Sequence, residues 1–156
     1  MSRAQCRVGE TMKKTVLDIL RRKGRDVWSV GPDQSIYEAL QLMADKNIGA
    51  VLVLRGDHIE GIFSERDYAR KVVLRGKASR ETKVGEAMTR MVAYVGLNNT
   101  VEECMALMTD KHVRHLPVLE EDRVVGMVSI GDAVQAKISE QEFMIEQLES
   151  YITGSW

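Results

Sequence analysis

With 156 residues, 44% of them hydrophobic and 29% charged, the chain has room for one globular domain or two small halves sharing a core. A net charge of −1 gives no field to hold nucleic acid or an anionic membrane, and the longest apolar run, Ile48 to Leu54, is far short of the roughly 20 residues that span a bilayer. No apolar segment of the secretory kind opens the chain, and Cys6 and Cys104 form neither metal-type spacing nor a disulfide framework, so a reduced, cytoplasmic setting is expected.

Residues 1–14 read as an N-terminal arm, followed by the lead-in "TVLDIL" and the alternating stretch "DVWSV", a short strand. In "DQSIYEALQLMADKN" Ser35 is placed to cap a helix, with Glu38 three residues on completing a capping box. Ile36, Ala39, Leu40 and Met43 then recur at helical spacing. "AVLVL" is a buried strand, "GDH" a turn, and "IEGIFS" a second strand that runs into a helix. The polar stretch "RGKASRETK" from Arg75 to Lys83 leads to a second lead-in, "KVGEAM". The series then repeats: the strand "MVAYV"; a helix capped by Thr100 and Glu103, with Val101, Cys104, Met105 and Met108 on its apolar face; "HLPVL", the turn "EEDR", "VVGMVS" and a helix. On that apolar face Cys104 reads as a small buried hydrophobe.

Residues 27–69 lie over 92–134 without a gap, and about a third of the positions are identical, among them Val30/Val95, Val53/Val118, Gly61/Gly126, Ser64/Ser129 and Asp67/Asp132. Self-similarity at one fixed offset marks a duplicated unit. The fold class expected is α+β, two pseudo-symmetric β-α-β-β-α repeats packed through their sheets about a pseudo-twofold axis, with a long C-terminal helix. The divisions expected are repeat 1 over 15–76, a linker over 77–82, repeat 2 over 83–137 and a helical extension over 138–156.

The corners "GIFSERD" and "GMVSIGD" carry the polar groups that recur. Ser64 and Ser129 can cap the helices that follow them, and Asp67 and Asp132 at the third position suit a helix dipole. The same geometry can also serve a ligand: free N–H groups and a serine hydroxyl for a phosphate, an exposed carboxylate for a ribose diol, and an upstream glycine for close approach to the backbone.

This doubled corner, closing a β-α-β-β-α unit, resembles the tandem cystathionine β-synthase (CBS) domain pair, or Bateman module. The likeness runs from about Thr15 to the mid-130s, and "SERDYARKVVLRGKASRETKVGEAMT" and "RHLPVLEEDRVVGMVSIGDAV" are similar to stand-alone CBS-pair proteins of bacteria and plant organelles. The resemblance implies a regulatory sensor that takes an adenosine nucleotide in the cleft between repeats: AMP first, with NAD, ADP or ATP as alternatives. It would need no metal, and would pass energy or redox state to a regulated protein in trans. Asp67 and Asp132 would each hold a ribose, and Ser64 and Ser129 would lie by the phosphate. Ile62 and Met127, with Val16 and Val84 of the lead-ins, would wall the adenine. Gly49 and Ala50, matched by Arg114 and His115, would floor the clefts. Arg66 adds a cation at the first corner, where the second has Gly131.

Two other functions compete. A small hydrolase could be built on Ser129, His115 and Asp132, but there is no G-x-S-x-G elbow, and the aspartate sits on the nucleophile's own helix instead of behind the histidine. A structural dimerisation module with empty clefts is the second. Self-association is expected either way. Beyond Asp132, Val134, Ile138, Ile145, Leu148 and Ile152 fall at a and d spacing with a polar gap at Gln141. Glu140, Glu142, Glu146 and Glu149 are expected to line the outside and to weigh against a long parallel zipper.

Overall fold

The computed structural model describes residues 13–90 and 92–153. The N-terminal arm up to residue 12, including Cys6, lies outside the described residues, as do Met91 and residues 154–156. In chain order the elements are α1 (Val16–Lys23), β1 (Ser29–Val30), α2 (Ile36–Lys46), β2 (Ala50–Arg55), β3 (His58–Ser64), α3 (Glu65–Asp67), α4 (Val84–Ala87), α5 (Val101–Lys111), β4 (His115–Glu120), β5 (Arg123–Ser129) and α6 (Ile130–Thr153). The architecture is mixed α+β and ends in a long helix, as expected. Among the described residues no helix is long and apolar enough to cross a membrane.

Two compact units emerge. One is Asp26–Ala93; the other joins the described residues up to Arg25 to the described residues from Tyr94 onward. These units differ from the repeats along the sequence in one respect: each lead-in belongs to the unit of the other repeat. Thr15, at the start of the first lead-in, bridges Thr100, and Lys83, at the start of the second, bridges Ser35.

In the 26–93 unit the strand order is β1-β2-β3. β1 runs parallel to β2 with Val30 opposite Val53, and β2 runs antiparallel to β3 with Ala50 opposite Ser64 and a register shift at Val53/Leu54. The Ser35 hydroxyl accepts from the Glu38 N–H at 3.1 Å. The expected capping box is only half formed, because the Glu38 carboxylate takes the Gln34 side-chain amide instead, at 2.8 Å. α2 ends on Asn47 in the left-handed region, φ 54°. Val30, Ile36, Ala39, Met43, Val51, Val53, Phe63 and Val72 form a core into which the lead-in inserts Val84, Ala87 and Met88. The expected linker is tied down as well: the N–H groups of Ile36 and Tyr37 donate to the carbonyls of Thr82 and Ser79.

The other unit repeats this plan at a constant offset. β4 and β5 pair with His115 opposite Ser129, and the register shift recurs at Val118/Leu119. Where the first unit has strand β1, this one has, among the described residues, a single bridging residue, Val95, parallel to Val118, so the strand expected over "MVAYV" shrinks there to one pairing. Thr100 and Glu103 complete a full capping box at 3.0 and 3.1 Å, and α5 ends on left-handed His112. α1 has its own box, Thr15 with Asp18, and is anchored by Val16 and Leu17 N–H bonds to the carbonyls of Asn99 and Leu97. The helices leaving the two corners differ. α6 runs for 24 residues, whereas α3 is a three-residue turn that passes into a π-helical segment over Tyr68–Val73.

Candidate functional site

Both serine–aspartate corners are built, one in each unit, and both are capping boxes. The Ser64 N–H and hydroxyl donate to Asp67 Oδ2 at 3.0 and 3.1 Å, and the Asp67 N–H returns a bond to the serine oxygen at 3.3 Å. At the second corner the Ser129 N–H donates to Asp132 Oδ2 at 2.8 Å, and the Asp132 N–H donates to Ser129 Oγ at 3.1 Å. The geometry follows from the sequence: a strand ending in extended Ser puts its oxygen over the N–H three residues on, and an acid there reaches back.

Each carboxylate also meets a lysine that the sequence reading did not single out. Asp67 Oδ1 lies 3.1 Å from Lys71 Nζ, one helical turn on, and accepts the Thr89 hydroxyl at 2.9 Å. Asp67 is only 7% exposed, so the expected exposed carboxylate is instead a buried, satisfied one. Asp132 Oδ2 lies 2.6 Å from Lys23 Nζ, at the end of α1, and the same ammonium donates to the Met127 carbonyl at 2.9 Å. In the 26–93 unit the equivalent carbonyl, that of Ile62, accepts from the Thr89 backbone N–H at 2.8 Å. The lead-ins therefore complete equivalent corners differently, by backbone pairing in one and by a lysine in the other. Lys71 was readable as an i, i+4 partner of Asp67; no local pattern announces Lys23 or Thr89.

The charges around Asp132 set its ionisation. Burial pushes its carboxyl up, but the bonds from Lys23 and Ser129 outweigh that and hold it below the ordinary value. His115, opposite Ser129 in the sheet, is pushed down by burial first and by Lys23 next, while Asp132 pulls it partly back. Among the described residues no hydrogen bond joins His115 to Ser129, and Asp132 bonds the serine and the lysine, so the relay a triad needs is not assembled. Cys104 is buried, and desolvation, with Glu103 nearby, raises its thiol to about 11, an inert state. Among the described residues no group of three His, Cys, Asp or Glu side chains could hold a metal ion.

The other candidates fall into place around these corners. Gly49 accepts the Glu65 N–H at 3.1 Å, and Ala50 pairs with Ser64, so both border the first corner beside Ile62 and the exposed Arg66. Arg114 accepts the Ile130 N–H at 2.8 Å and, with His115 and Met127, borders the second. Val16 and Val84, expected to wall the adenine, have no exposed surface and lie in the core, their helices packed down by backbone bonds at both N-termini. A Cβ on Gly61 would stand 2.4 Å from the Thr89 carbonyl oxygen, and one on Gly126 would stand 2.7 Å from a Leu20 methyl. The group that approaches each glycine closely is the exchanged lead-in.

Comparison with known proteins agrees with this fold. The CBS domain family model matches residues 14–74 and 84–139. The chain is 36% identical to the mitochondrial CBS domain-containing protein CBSX3 of Arabidopsis thaliana, over 91% of this chain and 73% of that one. It superposes on the crystal structure of the CBS-domain containing protein ATU1752 from Agrobacterium tumefaciens with a TM-score of 0.76 and 44% identity, covering 80% of this chain and 99% of that one. The fold is also that of the CBS domain pair of protein MJ0100, solved with 5′-methylthioadenosine and S-adenosyl-L-methionine (TM-score 0.69, 24% identity, covering 79% and 94%). With the family matched twice and both corners built alike, the chain belongs to the CBS domain family as a tandem pair, a family of regulatory modules.

Proposed function

We propose that the chain is a cytoplasmic, homodimeric sensor that binds an adenosine nucleotide without turning it over and passes its occupancy to a partner protein. AMP is the first candidate, with NAD, ADP or ATP next. The observation that carries this reading is the corner built twice: a serine oxygen at the helix start, a carboxylate beside it and a lysine on the carboxylate. A ribose diol can donate to such a carboxylate, and the lysine released from it becomes a cation for phosphate. The 5′-methylthioadenosine and S-adenosyl-L-methionine held by the MJ0100 pair belong to that protein, and the likeness to it carries the fold alone.

Thermal denaturation with AMP, ADP, ATP, NAD and S-adenosylmethionine tests the reading. A nucleotide at 100 times its Kd adds about 2.7 kcal/mol to apparent stability. No shift and no heat of binding with any of them ends it.

A second reading has an observation of its own. Asp67 is already satisfied by Ser64, Thr89 and Lys71, as a purely structural cap would be. If Asp67→Ala lowers stability while total nucleotide stoichiometry is unchanged, that corner is structural and only the Asp132 corner is a site.

A further inference from the structure

The last helix carries a face that its own subunit leaves bare. Ala133 and Glu140, two turns apart on α6, are buried, and the Glu140 carboxylate accepts the Lys14 N–H. Glu140 thus departs from the expected outside position and marks the side turned to the helix's own unit. Val134 and Ile138 are each more than two-fifths exposed, and Ile145, Leu148 and Ile152 are more than half exposed. An apolar stripe of this length on a single helix is uncommon in a protein that stays monomeric.

We propose that this stripe pairs with the same stripe of a second copy as a short, parallel, in-register two-stranded coiled coil. The inference rests on the reading of the chain as self-associating and adds the surface and its orientation. Placing the isoleucines in one register puts Ile138, Ile145 and Ile152 at a, and Val134, Gln141 and Leu148 at d. β-Branched residues at a with Leu at d favour two parallel strands. Gln141 then faces its own twin, where each amide can donate to the other, and slipping the register by a heptad would set it against Val134 or Leu148. Charge selects the direction. In a parallel pair Lys137 at g meets Glu142 at e of the twin, whereas an antiparallel pair brings Glu142 near the twin's Glu149. Lys137 already touches Glu102 at 2.6 Å and Glu140 at 3.4 Å, but an ammonium has three protons and can serve a further acceptor. Fewer than three heptads are available, so the coil is stable only as the continuation of a folded unit.

Sedimentation of the full chain at micromolar concentration, alongside Ile145→Glu, is the first test, with circular dichroism to confirm that the exposed substitution leaves the fold intact. The expected result is two chains for the native protein and one for the variant. Ile152→Cys in a Cys6→Ser background, under mild oxidation, is the second; a parallel in-register coil links the two copies through residue 152. A native monomer overturns this inference and the self-association reading together. A dimer that survives Ile145→Glu overturns the coil alone, since the copies then meet elsewhere. Loss of the dimer in Ile145→Glu with no cross-link at 152 overturns the parallel direction.

Discussion

Asp132 closes a helix cap and holds a lysine with the same oxygen, and the two roles separate by mutation. Asp132→Ala is expected to cost about 0.3–1 kcal/mol of stability through the lost first-turn carboxylate, and to weaken nucleotide binding roughly 10- to 100-fold, as losing a charge-assisted hydrogen bond does. Ser129→Ala removes the other half of the cap and keeps the carboxylate, so comparable destabilisation with a smaller loss of affinity is expected. Calorimetry on both variants checks the split; equal losses of affinity would assign the carboxylate to the cap only. His115 reports on the same cluster. Its folded pKa is held below 6.5 by burial and by Lys23, so the native state binds fewer protons than the unfolded one just below that pH. Its stabilising contribution is therefore complete above pH 6.5 and declines as pH falls through the folded value. Asp132, depressed from 3.8, has the same sign at lower pH: stability is present above the ordinary value and lost on acidification. Lys23→Ala removes a cation from beside His115 and leaves Asp132 facing it, so the His115 pKa rises in an NMR titration. An unchanged or lower pKa would mean that the lysine does not sit at this corner in solution.

At the scale of the element, the two repeated glycines in β3 and β5 answer to packing. Leu20 lies against Gly126, and Met88 and Thr89 lie against Gly61, so each lead-in uses the missing side chain to approach its strand. The obstacles differ in kind. Gly61→Ala drives a methyl into a backbone carbonyl that is also bonded to the Ile62 N–H at 3.0 Å, whereas Gly126→Ala meets the end of a leucine that can turn. Overpacking costs typically about 1–3 kcal/mol; Gly61→Ala is expected at or above the top of that range and Gly126→Ala towards the bottom, measured by urea denaturation. The reverse order would show that buried Leu20 is less able to move than the Thr89 backbone. The hairpins and the helices α2 and α5 were legible in the sequence because their signals are local: an apolar run, a cap, a turn, all repeated at one offset. β1 and its counterpart are shorter than their patterns suggest, since "DVWSV" and "MVAYV" alternate along five residues but, among the described residues, pair along two and one. The corners were legible as residues but not as environments. Burial of Asp67, the lysine on Asp132 and the filling of the glycine gaps all depend on where the lead-ins go, and Lys23 stands 109 residues from Asp132.

For the whole molecule, the exchange of lead-ins means that neither sequence repeat holds a complete core. Thr15 to Lys23 open the first repeat, yet Val16, Ile19 and Leu20 are buried in the unit that contains most of the second. Taking three such side chains away removes about 5–9 kcal/mol of burial, comparable to the total stability of a small domain. It also strips α5 and the 96–99 loop of their partners, because the carbonyls of Leu97 and Asn99 lose the N–H groups of Leu17 and Val16. The 26–93 unit keeps its own lead-in, Val84–Ala87, and loses none of these groups. Deleting residues 1–25 should therefore unfold the unit that lies farther along the chain and spare the nearer one. In hydrogen exchange, the amides of β4 and β5 should lose protection while those of β2 and β3 keep most of theirs. Nucleotide binding at the Asp132 corner should vanish with Lys23, and any binding at the Asp67 corner should persist. If instead β2 and β3 lose protection and β4 and β5 retain it, the first lead-in stabilises its own repeat, and the exchange is absent in solution.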